Sequence, residues 1–455
     1  MTIPAILAVL ICISPGMAQQ EPPLGPPPDG MSQGSIPPNG TVPANAPPGQ
    51  TGQDAQSSYT LSGAFTVDGE TKLAENEVFT SDKTDTSAIY VTNKGTLTLK
   101  NPTIITSGNT TSNDASSFYG LNGAVLVNNG SSVSISGGSI TTTGTGANGV
   151  IPTGEGTTVT LSDMNITASG GGGHGVMATL GASLTLTNVD ITTSGKNSAP
   201  IATDRGSGTV TVTGGKIRSS GIDSPGIYST GVISVTDADI VSTGAETAVI
   251  EGVNSITLEN SSLTGGVAKT GGVMIYQSFS GDAEIGTGTF SMSGGTLNIT
   301  EGPAFFVTNT DAVIYMSSVA LSSVSDELVR AAATQRWGTE GKNGGHVTFH
   351  ADNQSLSGSV TADDISSVDM ILQNGSTLSG ALTHASLTLD SRSTWNVTGN
   401  SNLTFLVMPD GITGESISGI IGNGYTVIYD ADREENQALG GKTYLLQNGG
   451  VLKPE

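Results

Sequence analysis

Apolar residues recur along this chain at two spacings at once. Within short segments they alternate with Ser or Thr, as in Thr96-Leu97-Thr98-Leu99, Ser132-Val133-Ser134-Ile135, Thr158-Val159-Thr160-Leu161, Ser183-Leu184-Thr185-Leu186 and Thr209-Val210-Thr211-Val212. Strict alternation predicts half-buried strands, aliphatics inward and hydroxyls outward. Over longer distances the segments repeat. From about Ser87 to Thr308 an opening apolar position falls at Ala124, Val150, Val176, Ile201, Ile227, Val249, Val273 and Phe305, in steps of 26, 26, 25, 26, 22, 24 and 32 residues. A closing position follows the same rhythm at Ile140, Ile166, Ile191, Ile217, Ile240, Leu263 and Leu297.

A fixed period of this length marks a solenoid, propeller or array. Three short strands per ~25 residues cannot bury a face alone, so each coil must stack on its neighbours. A propeller blade needs four strands in ~40 residues, and the leucine-rich frame is absent. The expected fold is therefore all-β: a right-handed parallel β-helix of about a dozen coils with capped ends. Coils spaced at the ~4.8 Å of neighbouring strands would make a rod of roughly 60 Å. Gly is 64 of 455 residues, about twice ordinary usage, as sharp turns every few residues demand. Pro is scarce after residue 50, consistent with strands that need every ladder donor.

This pattern resembles the parallel β-helix of the pectin-lyase-like superfamily over residues 58–405. The stretch Ser393-Thr394-Trp395-Asn396-Val397-Thr398-Gly399-Asn400-Ser401-Asn402-Leu403 is similar to the late coils of bacterial autotransporter passengers and adhesin-like surface proteins. Those proteins carry a C-terminal membrane barrel of alternating ~10-residue strands. The residues up to Glu455 show no such series, so only the passenger-like rod carries over. The resemblance implies a bacterial surface protein.

The flanks differ in composition from the repeat. Residues 1–18 read as a secretory signal: an apolar run over 3–13, then small residues before Gln19, though without the usual positive start. Read instead as an uncleaved anchor, the run is shorter than the ~20 residues a span needs. The lone cysteine, Cys12, follows Ile11 where a lipoprotein would have a small residue. Residues 19–57, with Pro22-Pro23, Pro26-Pro27-Pro28, Pro37-Pro38 and Pro47-Pro48, read as a Pro-rich disordered linker. Residues 58–405 are expected to form the β-helix, its N-terminal cap included, and 406–455 to supply C-terminal cap strands.

Charge narrows the partners. The net charge is −23, from 39 acidic and 16 basic residues, which argues against nucleic acid and anionic membrane surfaces. Aromatics are 4% of the chain. With Cys12 in the leader, no structural disulfide and no Cys-based metal site is expected.

Candidate chemistry is sparse. The resemblance extends in type to polygalacturonase motifs, which Gly173-His174-Gly175, Asn309-Thr310-Asp311 and Asp363-Asp364 match. Their order is wrong, and a hydrolase needs two carboxylates within ~5–10 Å of one another. Lys216-Ile217-Arg218 mimics the basic motif, yet Ile217 belongs to the inward column. A lyase would need Ca²⁺ held by clustered acids and a nearby base; Asp204-Arg205 and the neighbouring Asp223, Asp237 and Asp239 are its candidates. The outward Thr and Ser columns also resemble ice-binding faces, but Thr suits any solvated strand face.

Three insertions break the period: 106–122, 276–290 and 334–346. Solenoid insertions gather on one edge, often the binding edge. They hold Phe118, Tyr119, Phe279 and Trp337, which are therefore the candidate binding residues. No catalytic or metal-ligating set is expected, and no cofactor beyond the Ca²⁺ of the lyase alternative. The sequence thus predicts a secreted or cell-surface rod, adhesin-like and non-enzymatic, with extracellular carbohydrate or an envelope surface as partner and self-association as a further property. The alternatives are a polysaccharide-active enzyme, a lyase before a hydrolase, and a self-assembling cell-envelope protein.

Overall fold

The computed structural model describes residues 59–409, 411–414 and 416–455. The signal and linker expected over 1–57 lie outside the described residues. From residue 59 onwards the chain winds into a parallel β-helix. Opening and middle strands, with the closing strands of the later coils from Ser355–Ser357 onwards, join into a sheet of 34 strands, and the earlier closing strands form a second sheet of 10 strands, from Val78–Ser81 to Ala320–Ser323.

The alternating segments are the middle strands, and they stack without slip. Thr96 pairs with Ser132, Ser132 with Thr158, Thr158 with Ser183 and Ser183 with Thr209. Leu97, Val133, Val159, Leu184 and Val210 consequently form one buried ladder. Register is fixed this firmly because a one-residue slip would turn the aliphatics into water. The closing column matches the expectation too. Ile140, Ile166, Ile191, Ile217, Ile240, Leu263 and Leu297 are consecutive partners, extended by Phe79 and Ile104 before them and Leu321 after.

The opening column needs two corrections. Val150 pairs with Val125, not Ala124, and Ile227 pairs with Ala248, not Val249. The reason is that opening strands are buried on both faces: Val125–Asn128, Val150–Thr153, Ala248–Glu251 and Val273–Tyr276 are buried throughout. With no polar alternation left, the sequence does not mark which residues face inward.

The corner between middle and closing strands shows why Asn, Asp and Gly recur there. Asn101, Asp163, Asn188, Asp237 and Asn260 all have φ between 48° and 55°, a left-handed conformation that Asn and Asp tolerate. Side chains of successive coils also bond, Asn188 Nδ2 donating to Asp163 Oδ1 at 3.3 Å. At Gly215 (φ +93°) a Cβ would lie 2.2 Å from the Val189 carbonyl, so only glycine fits.

One core runs the length of the rod, from Val67 to Leu452. Phe290, Phe305 and Phe349 stack edge-on through its centre, with centroids 5.7 and 5.4 Å apart. Trp395, in the adhesin-like stretch, is wholly buried and donates Nε1–H to the Gly380 carbonyl at 2.9 Å. At the start, Gly63–Asp68, Thr71–Glu75 and Val78–Ser81 already form a full coil in register with the next. At the end, Tyr444–Gln447 and Val451–Pro454 pair in parallel with the preceding coil and antiparallel with each other, a hairpin that ends the parallel stack.

Candidate functional site

The opening sheet presents a second apolar surface, on its outside. The residues between the inward positions form an outward ladder: Ala202 pairs with Tyr228, Tyr228 with Val249, Val249 with Met274, Met274 with Phe306. Leu126, Ile151 and Met177 precede them in a separate buried cluster. Such a surface must be covered or used. The three period-breaking insertions lie across it.

The first insertion contains a helix, Asn113–Tyr119. Ser112 caps it, accepting from the Ala115 N–H at 3.1 Å, and Gly120 ends it in the left-handed region. Its end is tied to the sheet by Thr179 Oγ1, which donates to the Phe118 carbonyl at 3.0 Å. The second insertion follows Tyr276, and Asn309 Nδ2 donates to the Gln277 carbonyl at 2.7 Å. The third is held by Asn343, whose Nδ2 donates to the Thr334 and Trp337 carbonyls, both at 2.7 Å.

One chain of contacts connects all three. The Arg205 guanidinium lies 3.8 Å from the Phe118 ring centre and pairs with Asp282 at 3.1 Å. The Asp282 N–H donates to Ser280 Oγ at 3.2 Å, and Ser280 Oγ donates to Glu251 Oε1 at 3.2 Å. Glu251 has no exposed surface. It also accepts from Tyr228 Oη at 2.7 Å, from Tyr276 Oη at 3.0 Å and from the Ser278 hydroxyl. A buried carboxylate persists when its oxygens are satisfied this fully. Tyr276 in turn packs against Trp337, centroids 4.9 Å apart. Burial, with Glu251 beside them, raises both tyrosine pKa values well above the usual. Burial also raises Asp204, helped by the nearby Asp282 charge.

Beside this network lies a groove of about 500 Å³, within the range of small-molecule sites. Its floor is Tyr228, Val249, Met274 and Phe306, its far wall Trp337 and Arg336, and its lip Ile222, Asp223, Ala268 and Lys269. The Arg336 guanidinium lies over the Trp337 ring at 4.4 Å. Glu246, also lining the groove, accepts from the Thr270 hydroxyl, and burial raises its pKa.

The four predicted binding residues do not make one site. Trp337 walls the groove. Phe118 is buried beneath Arg205, and Tyr119 stacks on Tyr59 with centroids 5.4 Å apart. Phe279 is 69% exposed and does not line the groove. Tyr228, Met274, Phe306, Glu251 and Arg336 were not singled out by sequence. Their signal was present: Val273-Met274-Ile275-Tyr276 and Phe305-Phe306-Val307 are apolar where alternation would put hydroxyls.

The candidate enzymatic motifs are dispersed. His174 sits at a corner with its Nδ1 buried and without a hydrogen-bond partner, and burial lowers its pKa to about 4. Asp311 and Asp364 are exposed on other coils. Lys216 and Arg218 lie on the closing sheet, where Arg218 pairs with Asp239. Asp237 and Asp239 line an open depression of about 590 Å³ at the middle-to-closing corner, whereas Asp223 edges the apolar groove. The three acids proposed as a cation cluster are therefore not together, and no group of three or more metal-ligating side chains occurs among the described residues. No helix among those residues is long and apolar enough to cross a membrane. No protein family, curated protein or solved structure matches this chain, so its parallel β-helix stands on its own sequence and geometry.

Proposed function

We propose that this protein is a secreted or surface-displayed, adhesin-like β-helix that binds without catalysis. Its partner is an extracellular carbohydrate or envelope surface, met on the outer face of the opening sheet. One observation carries the reading. Three insertions, far apart in sequence, converge on that face and leave an apolar groove beside a fully bonded carboxylate network. Stacked coils supply a stiff support, and a rigid scaffold with recognition on one edge is how solenoids bind. Trp337→Ala removes one wall of the groove while leaving the main core intact. Binding to the target surface is expected to weaken at least tenfold with the thermal midpoint little changed; unchanged binding would refute the assignment.

A second reading, a polysaccharide-active enzyme, is supported by the raised proton affinity of Asp204 close to Asp282 and Glu251. An acid kept protonated can donate to a leaving group. Against it, the adjacent base candidate, Arg205, is engaged by Asp282 and Phe118. Incubation with acidic polysaccharides and Ca²⁺ should release no unsaturated uronide; release would reverse the order of the two readings.

A further inference from the structure

Polar and charged groups around the groove differ in how they are engaged. Tyr228 on the floor and Tyr276 beside it direct their hydroxyls to Glu251 at 2.7 and 3.0 Å, so neither O–H is left over to donate to a sugar. Glu246 accepts from the Thr270 hydroxyl and lies close enough to feel the Arg336 charge, which lowers its pKa against the effect of burial, without reaching ion-pair distance. Asp223 sits on an exposed turn at the lip, where water screens it. Arg336 is the exception. Its guanidinium rests on Trp337, its Nε is buried without a hydrogen-bond partner, and among the described residues it forms no ion pair. A guanidinium carries five donors in a planar fork that matches a carboxylate, and an unsatisfied one in an apolar wall is costly. The Lys269 ammonium, exposed at the same lip, is screened by water as Asp223 is.

We infer that the groove binds a small carboxylate carried on an apolar body, an aliphatic monocarboxylate of medium chain length, with Arg336 as its counter-ion. The tail lies on Val249, Met274 and Phe306, and the head reaches the Arg336 fork. This rests on the reading that the groove is the recognition site; of the two partners named there it favours an envelope surface that presents acyl carboxylates over a carbohydrate. The apolar floor removes tail surface from water, and the low polarity of the walls strengthens the ion pair relative to one in open solvent. A neutral ligand of the same shape would gain the first contribution and not the second. A polysaccharide would find few free hydrogen-bonding groups on the floor.

The test uses the whole protein with decanoate and, as the uncharged counterpart, 1-decanol. Calorimetry gives affinity, and Trp337 fluorescence reports the site, because the other tryptophan, Trp395, is fully buried elsewhere in the core. Decanoate is expected to bind at least tenfold tighter than decanol and to perturb Trp337 emission. Arg336→Gln should erase that tenfold gap and leave decanol affinity within about twofold. Ala268→Trp, a plug placed from an exposed turn, should block both probes. Equal binding of the two probes to the unaltered protein, still blocked by Ala268→Trp, overturns the carboxylate assignment and keeps the groove as a site. Decanoate binding that ignores both substitutions overturns the assignment by placing the ligand elsewhere. Failure of decanoate to bind overturns it too, and the Trp337→Ala surface assay then decides separately whether the groove serves recognition.

Discussion

His174 shows how the fold holds a residue that stands in an enzyme-like tripeptide. It stands between two glycines in a polygalacturonase-like tripeptide, yet its backbone N–H is held by Asn148 Oδ1 at 2.8 Å and its carbonyl by the Gly149 N–H at 2.9 Å. Burial lowers its pKa from 6.5 to about 4. A base whose proton affinity falls on folding destabilises the native state as pH drops from its unfolded value to its folded one. The penalty should thus develop between pH 6.5 and about pH 4, with an upper bound of about 3 kcal/mol because the residue as a whole is only half-buried. In His174→Gln, thermal midpoints measured over that range should fall less steeply than in the parent; parallel curves would mean that the ring is not dehydrated. Asp204 carries the opposite sign. Its raised carboxyl is best accommodated while protonated, so its contribution is lost as pH climbs from the ordinary carboxylate range towards the raised value.

At the scale of elements, legibility followed the number of buried faces. Middle and closing strands bury one face, so alternation marked their inward residues, and the columns read from sequence are the ladders found. Opening strands bury two faces, and there the reading slipped by one residue at Ala124 and at Val249. The same loss of alternation hid the floor of the groove, since Met274 and Phe306 read as more core. The closing column allows a direct test. Ile217 is fully buried between Ile191 and Ile240. Ile217→Ala should cost about 2–5 kcal/mol, as buried Ile truncations do. Denaturant titration checks this, and a loss below about 1 kcal/mol would mean that the ladder collapses around the cavity.

For the whole molecule the repeat has a consequence for stability. Each coil contacts chiefly its neighbours, so stability approximates a sum over repeats and interfaces. Excising residues 176–200 joins Gly175 to Ile201, the position that Val176 occupied in register. The shortened chain is expected to keep a β-rich circular dichroism spectrum and cooperative unfolding, with scattering showing a rod one strand spacing (~4.8 Å) shorter. Collapse to a non-cooperative state would refute this modular view. The groove, by contrast, is not modular. Arg205 and Asp282 are 77 residues apart, and the network between them exists only if three particular coils carry three particular insertions.

Periodicity is a local, repeated signal, and a short strand with one greasy face has few ways to bury it other than stacking. The all-β solenoid, its middle and closing ladders and the positions of the insertions were therefore determined by the sequence itself. Which insertion residues meet was not. Trp337 reaches the groove because it leans on Tyr276, while Phe279, equally aromatic and equally inserted, points into solvent. Glu251 is buried because four side chains and a backbone turn bring donors to it, and Arg336 stands near Glu246 without reaching ion-pair distance. Those outcomes depend on distances between segments that share no local pattern, and only the folded arrangement of the coils could decide them.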